Sequence, residues 1–419
     1  MKILIIGGGG REHAIAWALA KDARVEKLWC APGNGGIAQL AECVPIKATD
    51  LDAIVAFCSE NKPDLVVVAP DDPLALGLVD RLEAIGIRAF GPRANAAIIE
   101  GSKAFAKDLM RRYHIPTAEY AVFDNQQDAC AYIRAHGAPI VVKADGLALG
   151  KGVTVAQTVD EALEAVERAL SGHAFGAAGD RVVIEECLTG PEVSVLCFTD
   201  GKTICPMVSA QDHKRALDHD QGPNTGGMGS VSPNRHYTPE ISEQCMRDIF
   251  VPTIRAMQAE GRTFCGVLYF GLMLTPNGPK VIEYNARFGD PETQSVLPLL
   301  QTSLLDIMEA IIDQRLDTLD IQWADACTAC VVLASGGYPG SYSRGHEITG
   351  LQDAADTGAI VFHAGTKADD AGRIVTAGGR VLGVTATGET MEQALELAYR
   401  AADRIHFDGM FCRRDIGRR

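Results

Sequence analysis

The stretch VIEYNARFGDPETQ, residues 281–294, governs the reading of the whole chain. It starts as an apolar alternating run, which predicts a β-strand, and successive side chains of a strand point to opposite faces. Glu283, Asn285 and Arg287 then share one face, while Ile282 and Tyr284 face a core. A carboxylate, an amide oxygen and a guanidinium side by side suit a hard cation bridged to phosphates, because magnesium takes few protein oxygens and completes its octahedron with phosphate and water. Arg287 adds a planar fork for a further carboxylate or phosphate. A strand whose polar face merely meets solvent is the competing reading. The corner Gly289-Asp290-Pro291-Glu292 weighs against it by adding two acidic groups beside that face, so the rest of the chain must supply a nucleotide.

Its 419 residues, 47% of them hydrophobic, can bury more than one core, and roughly two to four domains are expected at that length. Alternating strand and helix patterns make α/β the expected class. A net charge of -15 disfavours a sequence-independent grip on nucleic acid, which needs clustered lysines and arginines. No apolar run reaches transmembrane length, so no membrane partner is expected. The opening MKILIIGGGG reads as a buried first strand instead of a signal peptide, since its apolar run is brief and GGGGREH follows in place of a cleavage site. The twelve cysteines are scattered; Cys327 and Cys330 lack a second pair for zinc and read as small buried strand residues in a reducing compartment.

Residues 3–6 form an apolar strand, followed by four glycines and a helix beginning near Arg11. That order binds phosphate through backbone amides and the helix dipole. The dinucleotide fingerprint needs a third glycine in register, and Glu12 or His13 stands there instead. A phosphate site and a plain tight turn both stay open. Further strands are expected at residues 27–30, 65–69 and 88–90, and the loops APGNGG (31–36) and PDDPL (70–74) fall at strand ends where open α/β sheets bind ligands.

A helix follows Gly101 and carries Lys103 in its first turn, where a cation opposes the helix dipole and hints at an anionic ligand. A small unit then spans about residues 117–186. Its strand 139–143 leads into ADGLALGKGV, which is one residue short of a P-loop and has Gly152 where the metal-binding hydroxyl belongs. Gly150, Lys151 and Gly152 suit a hairpin lid over phosphates, with Lys143 as a point charge at the strand end. Thr158 and Glu161 form a capping box for a helix ending at Gly172. Glu185, Glu186 and Glu192 cluster in the following connection, as nucleoside acceptors or as a solvated linker. Residues 209–233 form the longest polar, glycine-rich loop, and Asp212 to Arg215 pack both signs of charge into it. A long structureless loop inside a compact domain is usually functional. No serine or cysteine nucleophile lies beside Asp212 and His213, so substrate positioning is the preferred role.

GGGGREHA, PGNGG, GSKAFAKDLM, VVKADGLALGKGV, IEECLTGPEVS, SAQDHKR, GPNTGGMG, VIEYNARFGDPETQ, GGYPG, FHAGT, GGRVL and FCRRDIG, together and in this order, resemble the phosphoribosylamine-glycine ligase family of the ATP-grasp superfamily. The resemblance runs end to end and departs at Gly8, where the family usually has asparagine, and at Asp71, where it has glutamate. It implies an ATP-grasp fold with an N-terminal doubly wound parallel α/β domain (1–100), an ATP-grasp domain (101–324) holding a small mobile lid, and a C-terminal mixed α/β domain (325–419). It further implies that Lys103, Lys143 and Gly150-Lys151-Gly152 hold the ATP phosphates, that Glu185, Glu186, Leu188 and Glu192 line the adenosine pocket, and that Glu283 and Asn285 bind magnesium, with manganese as the alternative ion. Arg287, Asp212, Lys214, Arg215, Asn224, Thr225, Gly226 and Gly227 would position glycine and 5-phosphoribosylamine, and Gly9, Gly10, Arg11, Asn34 and Gly35 would face the sugar phosphate. Arg287, Lys143 and Asp212 are expected nearest the chemistry. The implied reaction is ATP-dependent ligation of glycine to phosphoribosylamine through glycyl phosphate, in the purine pathway, by a cytoplasmic protein for which a monomer is expected and an oligomer stays open.

After Trp323 a separate unit is expected, with strands at 330–334, 360–364 and 380–385 and a final helix capped by Thr390 and Gln393. GGYPG and FCRRDIG suggest loops returning toward the cleft, with structural turns the preferred reading from the residues alone. Another ATP-grasp carboxylate-amine ligase is the nearest alternative. A nicotinamide oxidoreductase would need an acid ending the second strand, where Trp29-Cys30-Ala31 stand, and a non-catalytic nucleotide sensor would be marked by a lost metal ligand.

Overall fold

The computed structural model describes residues 1–147, 152–170 and 180–418. The end of the helix expected at Gly172, and Gly150 and Lys151, lie outside them. The first sheet has five parallel strands in the order Glu42–Cys43, Lys27–Pro32, Lys2–Gly7, Leu65–Val68, Ala89–Phe90. Parallel neighbours need crossovers, and helices such as Gly10–Leu19 and Leu51–Asn61 supply them, which makes this a doubly wound sheet. Its centre is apolar on both faces: Ile3, Leu4, Ile5 and Ile6 are all buried. PDDPL is not a loop. Asp71–Ala75 is a short helix whose first turn carries Asp71 and Asp72, where carboxylates face the positive end of the dipole.

Two four-stranded sheets follow. The first runs Tyr120–Phe123, Val182–Glu186, Ile140–Ala144, Val153–Ala156, all antiparallel. The helices Gln126–His136 and Val159–Leu170 bury Ile133, Ala162 and Val166 with Val142 and Ile184 of this sheet. Thr158 and Glu161 cap the second helix reciprocally: Thr158 Oγ1 accepts from Glu161 N–H, and Glu161 Oε2 accepts from Thr158 N–H. The second sheet runs Ile204–Pro206, Glu192–Thr199, Gly266–Thr275, Gly278–Asn285.

The strand expected in the opening stretch is Gly278–Asn285, but its alternation is broken. Gly271 pairs with Glu283 and the next residue, Leu272, pairs with Val281, so Ile282 is the extra residue of a β-bulge. Val281 and Tyr284 are therefore the buried pair, while Ile282, expected in the core, is half-exposed. Its freed carbonyl becomes an acceptor for the site described below.

The segment 209–233 is not structureless either. It contains the strands Gln211–Asp212, Arg215–Leu217, Gln221–Asn224 and Gly229–Ser232. Gly229–Ser232 pairs with Cys327–Ser335 of the last segment, in a sheet that continues through Arg380–Gly388 to Ile360–His363. The unit expected to begin after Trp323 thus shares one sheet with residues from before it. The helix Met391–Ala402, capped by Thr390, lays Leu395, Ala398 and Tyr399 on this sheet.

Candidate active site

Buried cations gather where the lid sheet meets the bulged strand. Lys143, at the end of the strand Ile140–Ala144, donates to Glu185 Oε2 and to the bulge carbonyl of Ile282, both at 3.0 Å. Lys107, on the helix Lys103–Arg112, lies 2.9 Å from the same Glu185 oxygen and donates to Thr117 Oγ1 at 2.8 Å. Thr117 Oγ1 in turn donates to Val281 O at 2.7 Å. The lid sheet and the helix are thereby tied to two successive carbonyls of the bulge. The other oxygen of Glu185 is buried and has no partner among the described residues. A buried acceptor left bare costs free energy unless a ligand donor reaches it, and an amino or hydroxyl group of a nucleoside fits that need.

Lys103 is not the exposed lysine its position at a helix start allows. Its ammonium donates to Gly146 O at 2.9 Å, and burial lowers its pKa while Glu283 opposes that fall. Asp145 binds the same helix start to the lid, accepting from Ala104 N–H at 2.7 Å and pairing with Arg181 at 2.6 Å.

Glu283 faces these cations. Its Oε1 lies 3.3 Å from Lys214 Nζ, which also stands 3.5 Å from Glu192. Lys214 above all, against the opposing effect of burial and with help from Lys143 and Lys103, holds the Glu283 carboxyl at about 2 against its ordinary 4.5. A depressed carboxylate stabilises the fold above its unfolded pKa and loses that contribution as pH falls through the folded value. Wild-type stability should therefore drop by roughly 2 kcal/mol more than that of Glu283→Gln between about pH 5 and pH 3, read by urea unfolding.

Among the described residues Asn285 Oδ1 has a long contact alone, 3.4 Å from Arg287 Nη2. Arg287 is held from behind by Glu100, at 3.1 Å, and donates to Phe288 O. Its buried Nε has no partner among the described residues, which leaves a donor for an anion. Among the described residues no three acidic, histidine or cysteine side chains gather as a metal cage. The two oxygens of Glu283 and Asn285 on one strand fit magnesium, which draws its remaining ligands from phosphates and water.

The first-domain turns lie on the other side of the opening stretch. Arg11 is buried against Glu12 at 2.6 Å and donates to Phe288 O at 3.2 Å. Glu12 also receives Gly9 N–H at 2.6 Å. Asn34 spends its side chain inside the protein: its amide nitrogen donates to Gly8 O and His363 O, and its oxygen receives Gly36 and Ile37 N–H. It shapes the turn, and Gly35 N–H donates to Thr366 O. A Cβ on Gly8 would collide with the carbonyl of Gly33, so at this departure from the resembled family the turn is built for glycine. A Cβ on Gly10 would strike Gln294 Nε2; the turn touches the opening stretch directly.

The 211–229 strands bring Asp212, Lys214, Thr225 and Gly227 to the same place. Asp212 Oδ1 is buried and unpartnered among the described residues; burial first, then Glu292, push its pKa well up. Thr225 fastens the turn by donating to Lys214 O at 2.9 Å. Arg215 is not drawn to the cations: it donates to Gly222 O at 2.8 Å and pairs in register with Asn224 in its own hairpin. Glu186 faces Lys280 at 3.4 Å, and Leu188 lies in the connection after the strand Val182–Glu186. Gly152, beside the lid residues outside the described set, accepts from Ala144 N–H. His213 is a structural tie, taking Gly417 N–H on Nε2 at 3.0 Å, and Tyr338 of GGYPG accepts Gly226 N–H at 3.0 Å. The two C-terminal motifs, read as returning loops or as turns, thus dock onto this segment. Lys107, Glu100, Asp145 and Arg380 were not singled out by the sequence, although Lys107, Asp145 and Arg380 lie within the motifs GSKAFAKDLM, VVKADGLALGKGV and GGRVL, and Glu100 directly precedes the first of these.

A doubly wound sheet followed by two antiparallel sheets, with lysines and carboxylates gathered where they meet, defines an enzyme of the ATP-grasp class. Family models described as the phosphoribosylglycinamide synthetase N domain, ATP-grasp (A) domain and C domain match residues 1–100, 101–293 and 328–419. The chain belongs to the phosphoribosylglycinamide synthetase family. A phosphoribosylamine–glycine ligase of Vibrio cholerae is 50% identical over 100% of this chain and 98% of its own, and one from a Nostoc species is 52% identical over 100% and 99%. The crystal structure of the Thermotoga maritima phosphoribosylamine–glycine ligase superposes with a TM-score of 0.88 at 34% identity, covering all of both chains. A biotin carboxylase domain of Hydrogenobacter thermophilus shares the fold alone, with a TM-score of 0.75 at 15% identity over 98% of this chain and 91% of its own.

Proposed function

We propose that this protein joins glycine to 5-phosphoribosylamine at the expense of ATP, giving glycinamide ribonucleotide, ADP and phosphate, a step of purine biosynthesis. The supporting observation is the opposition of Glu283 to Lys103, Lys143 and Lys214 within a chain similar from end to end to named ligases of that reaction. A glycine carboxylate oxygen attacks the γ-phosphorus, the bond from that phosphorus to the bridging oxygen breaks, and ADP leaves. The amine of phosphoribosylamine then attacks the acyl carbon and phosphate departs with one former carboxylate oxygen. Anion attacking anion needs positive charge above all. Lys103 and Lys143 serve the ATP phosphates, Arg287 the glycine carboxylate through its bare Nε, and Asp212 the amino group. Glu185, Glu186, Leu188 and Glu192 line the nucleoside side, and Gly9, Gly10, Arg11, Asn34 and Gly35 form the sugar-phosphate side, Asn34 by shaping its turn. Lys214, Asn224, Thr225, Gly226 and Gly227 frame the glycine side, and Arg215 serves it only by bracing their hairpin through Gly222 O. Magnesium or manganese on Glu283 and Asn285 would supply further charge neutralisation to the phosphates. A cytoplasmic setting and a monomer fit this reading, as does a division into 1–100, 101–324 and 325–419. ADP release that requires glycine and phosphoribosylamine together supports it, whereas equal release with other carboxylates or amines would assign the protein a different substrate pair.

A further inference from the structure

Arg380 opens the strand Arg380–Gly388 in the C-terminal sheet, yet its guanidinium reaches the opening stretch of residues 281–294. Nη1 donates to Gly226 O at 2.6 Å and to Asp290 O at 2.8 Å, with Gly227 O at 3.4 Å, and Nη2 lies 3.3 Å from Asp290 Oδ2. One side chain thus holds the 226–227 turn and the corner of the opening stretch. Gly227 is needed for that approach, and Gly226 is packed closely against it. A Cβ on Gly226 would stand 3.1 Å from the guanidinium carbon, and one on Gly227, whose φ is +110°, would strike Pro291 and come within 2.6 Å of Asp212 Oδ1. The turn is therefore sandwiched between Arg380 on one side and Pro291 with Asp212 on the other.

The contact continues beyond the corner. The second oxygen of Asp290 receives Gln294 Nε2 at 2.7 Å, and Gln294 abuts Gly10 in the glycine turn of the first sheet. Burial works against the charge of Arg380, but Asp290 first, then Tyr338 and Asp212, keep it protonated. Arg380 has only 21% of its side chain exposed and Asp290 17%, so the pair is largely withdrawn from solvent screening.

We propose that Arg380 is a positioning residue for the glycine and phosphoribosylamine half of the site, setting Asp212 and the 226–227 turn against the Asp290-Pro291 corner and, through Gln294, against the first-domain turn. This rests on the ligase reading given above. A merely structural ion pair would affect stability and every substrate alike. Positioning affects one half of the site, because the lysines that serve ATP are held by Glu185, Ile282 and Gly146, none of which Arg380 touches.

The test compares Arg380→Met and Arg380→Lys with wild type by amide hydrogen exchange and by steady-state kinetics. Exchange of the peptides holding residues 224–228 and 289–291 should rise in Arg380→Met. The KM values for glycine or phosphoribosylamine should rise about tenfold or more while that for ATP stays within about twofold, and Arg380→Lys should recover part of the loss, since an ammonium cannot span both carbonyls and the carboxylate. Unchanged exchange at both peptides overturns the proposal, as does a parallel rise of all three KM values. Exchange needs no turnover, so a wild type inactive with glycine and phosphoribosylamine would overturn the ligase reading while the exchange result still decides the clamp.

Discussion

Glu283→Gln is expected to lower kcat by about a hundred- to a thousandfold at ordinary magnesium concentration, with the protein still folded. The substitution keeps the shape of the side chain and removes its charge. That charge is what faces Lys103, Lys143 and Lys214, and it is also one of the two oxygens placed for magnesium. The core does not depend on it: the buried residues of this strand are Pro279, Val281 and Tyr284. Lys214 keeps Glu192 at 3.5 Å, so the loss of stability near neutral pH should be limited to about 1–3 kcal/mol. Kinetics with a parallel thermal melt separate the two effects. Turnover close to wild type would remove Glu283 from the metal and phosphate site.

Lys143→Met should reduce kcat/KM for ATP by about a hundredfold. Its ammonium sits between the Glu185 carboxylate and the bulge carbonyl of Ile282, and a thioether satisfies neither. Lys107 still pairs with Glu185, so the buried carboxylate is not abandoned, and the expected destabilisation is about 1–3 kcal/mol, below what a fully unpaired buried charge costs. A variant that melts lower but uses ATP with unchanged kcat/KM would make Lys143 a structural brace alone.

The sequence made much of this legible, for local reasons. Residues 3–6 and 281–285 carry their strand character in their own apolar residues, and Thr158 with Glu161 announces a helix start within four positions. What stayed hidden depends on partners far away. The bulge at Ile282 exists because Gly271 and Leu272 pair with Glu283 and Val281, which no pattern within the strand records. The strands within 209–233 are short, polar and glycine-rich, and Gly229–Ser232 forms against Cys327–Ser335, about a hundred residues on. Lys107 and Glu100 lie on helices where charge ordinarily means solvent; each is buried because its counter-charge, Glu185 or Arg287, comes from another element. Asp71–Ala75 could have been read, since two acids followed by proline suit a first helical turn. The motifs fixed the family because their order spans all four large sheets, whereas the contacts of Asp290 and Arg380 emerge only where distant elements meet.

The site as described activates a carboxylate by moving phosphate onto it, and the path of one oxygen tests this most directly. Glycine with heavy oxygen in its carboxylate is turned over with ATP, magnesium and freshly made phosphoribosylamine, and the inorganic phosphate is analysed by mass spectrometry. One heavy oxygen in each phosphate, in step with the amide formed, is the predicted result. Amide formed alongside phosphate free of label would contradict an acyl phosphate and with it the proposed work of the lysines, Glu283 and Arg287.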